Sequence, residues 1–236
     1  MKGIIGRKVG MTQIFNDKGD EIPVTVIEAG PCPVVQVKTV ERDGYSAAQI
    51  GFDTIEKKDK NKVTKPRREH FAKANVKPLR YLREFPLENG DEVKEGDTVT
   101  TSIFEGVDFV SITGVSKGRG FAGVVKRYGF GGAPATRGSH EHFRHPGSIG
   151  MCEYPGRVLA GTKLPGHFGA ENVKTLNLHV EKTYPEKNLL LVRGGIPGPN
   201  GGMVLIERSD RRKKAVVGDT KAKFVNPLKA SKRGGR

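Results

Sequence analysis

Residues 107–128 read VDFVSITGVSKGRGFAGVVKRY, and this stretch decides the fold. Up to Thr113 it is rich in Val, Ile, Phe and Thr, the composition of a β-strand. From Gly114 the texture changes. Glycine recurs every few residues as far as Gly169, cations stand between the glycines, and apolar periodicity fades. Only Phe121 to Tyr128 offers a helix, of about two turns. A segment of this length exceeds an ordinary connection. It has too few aliphatic side chains for a core of its own and should be poorly ordered alone, because burial cannot offset its ordering entropy.

Upstream the chain reads as short strands. Gly3 to Met11, Ile22 to Glu28, Val34 to Val40, Ala47 to Phe52, Tyr81 to Phe85, Gly96 to Phe104 and Val107 to Val115 carry strand composition. Turn signals at Asp17-Lys18-Gly19-Asp20 and Arg42-Asp43-Gly44 divide them. Lys57 to Lys65 is a charged connector, and Pro66 opens a short helix over Arg67 to Ala74. Downstream, Val173 to Val180, Leu189 to Arg193 and Met203 to Glu207 resume the pattern, with a Gly/Pro hairpin at 194–202. Strands at this spacing indicate a mainly β barrel or sandwich rather than a βαβ sheet. The later strands rejoin the earlier ones. Residues 1–113 and 170–209 then form one body, 114–169 an internal loop, and 210–236 a basic C-terminal tail, flexible when unbound.

Charge supports that division. The formal net charge is +15. Residues 1–113 hold 18 basic and 18 acidic side chains, whereas 114–165 hold 8 and 2, and 207–236 hold 11 and 3. A surplus confined to two segments points to a polyanion. The tail has no amphipathic apolar face for a membrane surface, and no stretch approaches the roughly 18 apolar residues of a membrane span. No signal or transit pattern precedes the first strand. With Cys32 and Cys152 alone, a disulfide framework is not expected, and a cytosolic protein is. Cys32, between Pro31 and Pro33, reads as structural.

Gly118-Arg119-Gly120-Phe121-Ala122-Gly123 matches G-x-G-x-x-G, Val125 extends it to the kinase-like form, and Glu141 lies about 20 residues on. The context excludes a nucleotide site. Gly131 to Thr136 is no buried strand, and the other kinase motifs are missing. Glycine here lets backbone approach backbone while Lys117, Arg119, Lys126 and Arg127 neutralise phosphates. His140, His142 and His145, with Cys152 and His167 downstream, fit no common zinc spacing; imidazoles also stack on bases and donate to phosphates. Neither a metal nor another cofactor is expected. Ser139 and Ser148 lack a nucleophile elbow. Glu141 and Glu153 serve equally as an acid–base pair or as local charge neutralisation.

The stretch Gly114 to Arg127, with Phe104 ahead of it, closely resembles the signature of the ribosomal protein L3 family. So do the opening Gly3-Ile4-Ile5-Gly6-Arg7-Lys8-Val9-Gly10-Met11-Thr12, the turn His145-Pro146-Gly147-Ser148-Ile149-Gly150, and Asn188-Leu189-Leu190-Leu191-Val192. The resemblance covers about residues 1–209, and the length resembles bacterial members. It implies a six-stranded barrel of the translation-protein type outside the large subunit. It also implies a loop reaching through rRNA toward the peptidyl transferase centre, binding near the 3′ end of 23S rRNA, nucleation of subunit assembly, and ribosomal proteins L14 and L19 as neighbours. By position, Arg137, Arg144 and the turn at 146–150 would stand near the loop's far end. Three positions depart from the pattern. Ser111 replaces the usual Asp or Asn. Met151 stands where many bacterial members carry a methylated Gln, so no modification is expected there. Residues 210–236 extend beyond the usual bacterial end.

The expected function is therefore structural, not enzymatic: a ribosomal, rRNA-binding protein of the cytoplasm. Expected loop contacts are Lys117, Arg119, Lys126, Arg127, Arg137, His142, Arg144, His145, Arg157 and Lys163. Expected tail contacts are Arg211, Arg212, Lys213 and Lys214. Two rival readings stand beside it: a barrel enzyme using His140, Glu141, His142 and His145 as acid–base groups, and a translation factor that binds transiently.

Overall fold

Strands from both sides of the glycine-rich segment close a single antiparallel barrel in the computed structural model. The structure describes residues 1–16, 19–55, 63–88 and 93–209. The barrel strands are β1 (Gly3–Phe15), β2 (Glu21–Ala29), β7 (Phe109–Val115), β10 (Asn172–Tyr184), β11 (Leu189–Arg193) and β12 (Met203–Arg208). Their order around the barrel is β1-β12-β7-β10-β11-β2, back to β1. Closure leaves no open edge, which is how a small all-β body avoids pairing with other chains.

Alternation explains the register. Ile4 stands opposite Ile206, Ile206 opposite Ile112, and Leu190 opposite Ile27. All of these are fully buried and meet in one core with Val110, Val192 and Val204. Hydrophobic burial of such a set is the main stabilising term of the body.

The strands between β2 and β7 do not enter the barrel. β3 (Cys32–Lys38), β4 (Ala47–Thr54), β5 (Leu79–Pro86) and β6 (Thr98–Val99) form a second sheet in the order β5-β4-β3-β6. Its apolar residues Val34, Ile50 and Phe85 share the barrel's core cluster. The Cys32 thiol donates to the Ile5 carbonyl at 3.3 Å, tying the second sheet to β1. Cys32 is fully buried, as its structural reading requires. The helix α2 (Lys65–Lys73) presses Phe71 onto Val35 and Leu79.

Two sequence expectations need correction. Residues 96–104 are not one strand: β6 has two residues, and Thr101–Phe104 is a 3-10 turn whose Thr101 and Phe104 are buried. Val40 opens a one-turn helix, α1 (Val40–Asp43), instead of ending a strand. Among the described residues, no helix is long and apolar enough to cross a membrane.

Candidate nucleic-acid interface

The internal segment leaves the barrel from the end of β7 and returns into β10, which are paired neighbours through Val115 and Asn172. Both limbs therefore start side by side. The Ser116 amide donates to the Glu171 carbonyl at 2.9 Å, and the Arg119 amide to the Phe168 carbonyl at 2.8 Å. Next comes a ladder of β8 (Gly120–Ala122) and β9 (Gly166–Phe168). Gly169, at φ +76°, permits this close approach; a β-carbon there would run into the Lys117 carbonyl oxygen. The neck is thus set by backbone, as glycine allows.

Beyond the neck, α3 (Val124–Tyr128) makes one turn and stops at Gly129, whose left-handed conformation caps it. The helix expected from Phe121 is shorter than its sequence implied, because Phe121 and Ala122 belong to β8. The chain then runs through turns, with a 3-10 turn at His140–Arg144. The Ala133 amide donates to the Phe143 carbonyl at 3.0 Å, folding this part back on itself. None of residues 125–168, all of them described, is buried.

The expected contact residues fall into groups. Lys117, Arg119 and Lys126 line a cleft of about 730 Å³ at the neck. His142 and His145 share the wall of a second cleft, of about 710 Å³, with Phe130 and Ala133. Arg157 lines a third, of about 550 Å³, beside the turn at 147–152. Arg137 and Arg144 are exposed outside these clefts. Lys163 lies over the Tyr128 ring at 5.8 Å. Arg211, Arg212, Lys213 and Lys214 lie outside the described residues.

Arg127 differs from the rest. Its Nη1 donates to the Leu164 carbonyl at 2.8 Å, and its guanidinium stacks on Tyr128 at 5.0 Å. It holds the two limbs of the loop together. Its planar fork suits that task better than an ammonium would.

Sequence reading missed Lys8. A lysine in a strand normally points to solvent, yet Lys8 is 8% exposed. Its ammonium donates to the Ile196 and Gly198 carbonyls at 3.1 and 3.2 Å. Burial, and then the charge of Lys117, push its pKa below the ordinary lysine value. No local signal announces this, since the carbonyls come from a distant hairpin.

Several cations of the body are held in ion pairs. On the barrel and second sheet, Arg7 pairs with Glu28 at 2.7 Å and Lys38 with Glu84 at 2.8 Å, and Lys174 pairs with Glu207. In the loop, the side chains of Lys117, Arg119, Lys126, Arg137, Arg144 and Arg157 have no hydrogen-bonding or ion-pair partner among the described residues. Exposed rings accompany these cations: Phe121 is 79% exposed and Tyr154 88%. Unpaired cations with free aromatic faces suit phosphate and base. Among the described residues, His, Cys, Asp and Glu form no group of three that could hold a metal ion.

Comparison with known proteins finds relatives among ribosomal proteins. A sequence model of the family described as ribosomal protein L3 matches residues 86–183, which span the whole loop. The large ribosomal subunit protein uL3 of Carboxydothermus hydrogenoformans is 51% identical over 212 residues, covering 90% of this chain and 99% of that relative.

Proposed function

Because the chain belongs to the ribosomal protein L3 family, we propose that it binds 23S rRNA directly near its 3′ end and nucleates assembly of the large subunit. At the coarser level it is a structural constituent of the large ribosomal subunit, in the cytoplasm. The barrel body (1–113 and 170–209) is the anchor. Residues 114–169 are the arm, directed toward the peptidyl transferase centre. The tail 210–236 follows RNA backbone by charge alone. Ribosomal proteins L14 and L19 are its protein neighbours.

The observation that carries this reading is the set of six loop cations with unpartnered side chains, in a segment that has no buried residue from 125 to 168. Such a segment gains its order from the surface it meets. Phosphates supply the missing partners for Lys117, Arg119, Lys126, Arg137, Arg144 and Arg157. His142, His145 and Lys163 add stacking or hydrogen bonds, and Arg127 shapes the arm. Six phosphate contacts correspond to a slope of about −5 in log affinity against log salt.

Crosslinking the protein in cell extract and mapping the RNA sites is the test. The expected result is crosslinks from 114–169 to large-subunit rRNA. Crosslinks confined to other RNAs, or none from this segment, would overturn the reading. Replacing His140, His142 and His145 together with Ala should weaken rRNA binding and leave no turnover to be lost, as a scaffold requires.

A further inference from the structure

Five separate chain segments meet at the neck cleft. Lys8 comes from β1, Lys117 and Arg119 from the outgoing limb, Lys126 from α3, and Glu171 from the returning limb. The hairpin between β11 and β12 supplies the carbonyls of Ile196 and Gly198 that hold Lys8. Four cations therefore border one space with a single carboxylate. An ammonium has three N–H donors, and the two carbonyls use two of those on Lys8. Like charges gathered in a partly desolvated cleft repel one another, and a bound anion relieves the repulsion.

We propose that this cleft is a seat for a phosphodiester of RNA, and that an occupied seat sets the direction of the arm relative to the barrel. The proposal rests on the rRNA-binding reading above and assigns it a specific place. Charge explains the anion. The Phe168 ring and the rRNA-binding reading together favour a nucleotide's phosphate over an acidic side chain. Phe168 lines the cleft, whereas Phe121, paired with His167, stands on the other face of the ladder. A cationic seat bordered by an aromatic ring matches a nucleotide's phosphate with its base against that ring. The seat also explains why a lysine is buried at Lys8. Its ammonium joins the barrel, the hairpin and, through the phosphate, the outgoing limb and α3.

The test uses the full chain and a transcript of large-subunit rRNA, with affinity measured by filter binding over a salt series. Lys117→Gln is the main variant because its side chain is exposed and the fold does not depend on it. The expected loss is about tenfold in affinity, with the magnitude of the salt slope reduced by about one. Lys126→Gln should act in the same direction. Lys8→Met should also lower affinity; circular dichroism checks that it folds, and the two exposed variants stand if it does not. Lys77→Gln, in the connection between α2 and β5, should change neither quantity. If the unaltered chain binds rRNA and both exposed variants keep its affinity and slope, the seat is wrong while the functional reading survives. If the unaltered chain does not bind, the functional reading itself fails. Unchanged rRNA affinity with loss of a protein neighbour from assembled subunits would mean that the cleft takes an acidic protein segment, which also overturns the proposal.

Discussion

The barrel and its arm are one chain built on opposite principles. In the barrel, side chains such as Ile4, Ile112, Leu190 and Ile206 are fully buried, and surface cations such as Arg7 and Lys174 have carboxylate partners. Beyond α3's first residue the arm has no buried side chain until the chain returns to the neck, and most of its cations are unpaired. The barrel offsets its conformational entropy internally by removing apolar surface from water. The arm leaves its charges and rings unsatisfied, so its ordering free energy must come from a partner. On the rRNA-binding reading, stability and binding fall to different residues, so each should be alterable without the other.

The two cysteines give the largest expected contrast. Cys152 is exposed in the arm, while Cys32 is buried in the body. Burial pushes the Cys32 thiol up to about 12. Iodoacetamide should label Cys152 at least about a thousandfold faster at pH 8, because Cys32 reacts only after opening that costs several kcal/mol. Mass spectrometry of timed samples reads the ratio; similar rates would mean the body is not closed. The same shift has a sign for stability. The ordinary thiol value is 9.0, so between pH 9 and about 12 the native state keeps a proton that the unfolded chain has lost. This contribution is intact below pH 9 and falls away as pH rises through that window.

Phe85→Ala comes next. Phe85 is 1% exposed where the second sheet meets the barrel core. Its truncation should cost about 3–5 kcal/mol of stability by urea denaturation. A cost below about 1 kcal/mol would mean the two sheets do not share a core.

Gly169→Ala should act locally. A side chain at φ +76° costs about 1–2 kcal/mol, and here it also meets the Lys117 carbonyl. Trypsin should cut at Arg119, Lys126 and Arg127 several-fold faster while the urea midpoint moves little. A matching fall in midpoint would show that neck and barrel unfold as one unit.

The smallest effect on stability sharpens the comparison most. Arg137→Ala combined with Arg144→Ala should change unfolding free energy by less than about 0.5 kcal/mol, as for exposed sites without partners. The same variant should bind rRNA more weakly, with a salt slope smaller by about two.

Much of this was legible in the chain. Strand composition marked β2, β11 and β12 nearly to the residue, and the change of texture at Gly114 falls one residue before β7 ends at Val115. The missed features share one cause. The ladder between Gly120–Ala122 and Gly166–Phe168 joins two three-residue strands far apart in sequence, too short for any periodicity to register. Residues 96–104 look like a strand, yet Thr101 and Phe104 reach the interior from a 3-10 turn, because burial depends on what packs above a residue and not on its spacing alone. The brace from Arg127 to the Leu164 carbonyl is equally invisible in the sequence, because the two residues are distant in the chain.

By itself, the sequence determined where the chain could bury surface and where it could not, because hydrophobic periodicity and net charge are properties of neighbouring residues. It thereby separated a mainly β body from a cationic arm. The tertiary structure alone decided which strands close the barrel and which form the second sheet. It also decided that Arg127 braces the arm, and that Lys8 is buried beside Lys117 at the neck. Those outcomes depend on contacts between segments distant in the chain, and only the closed barrel brings such segments together.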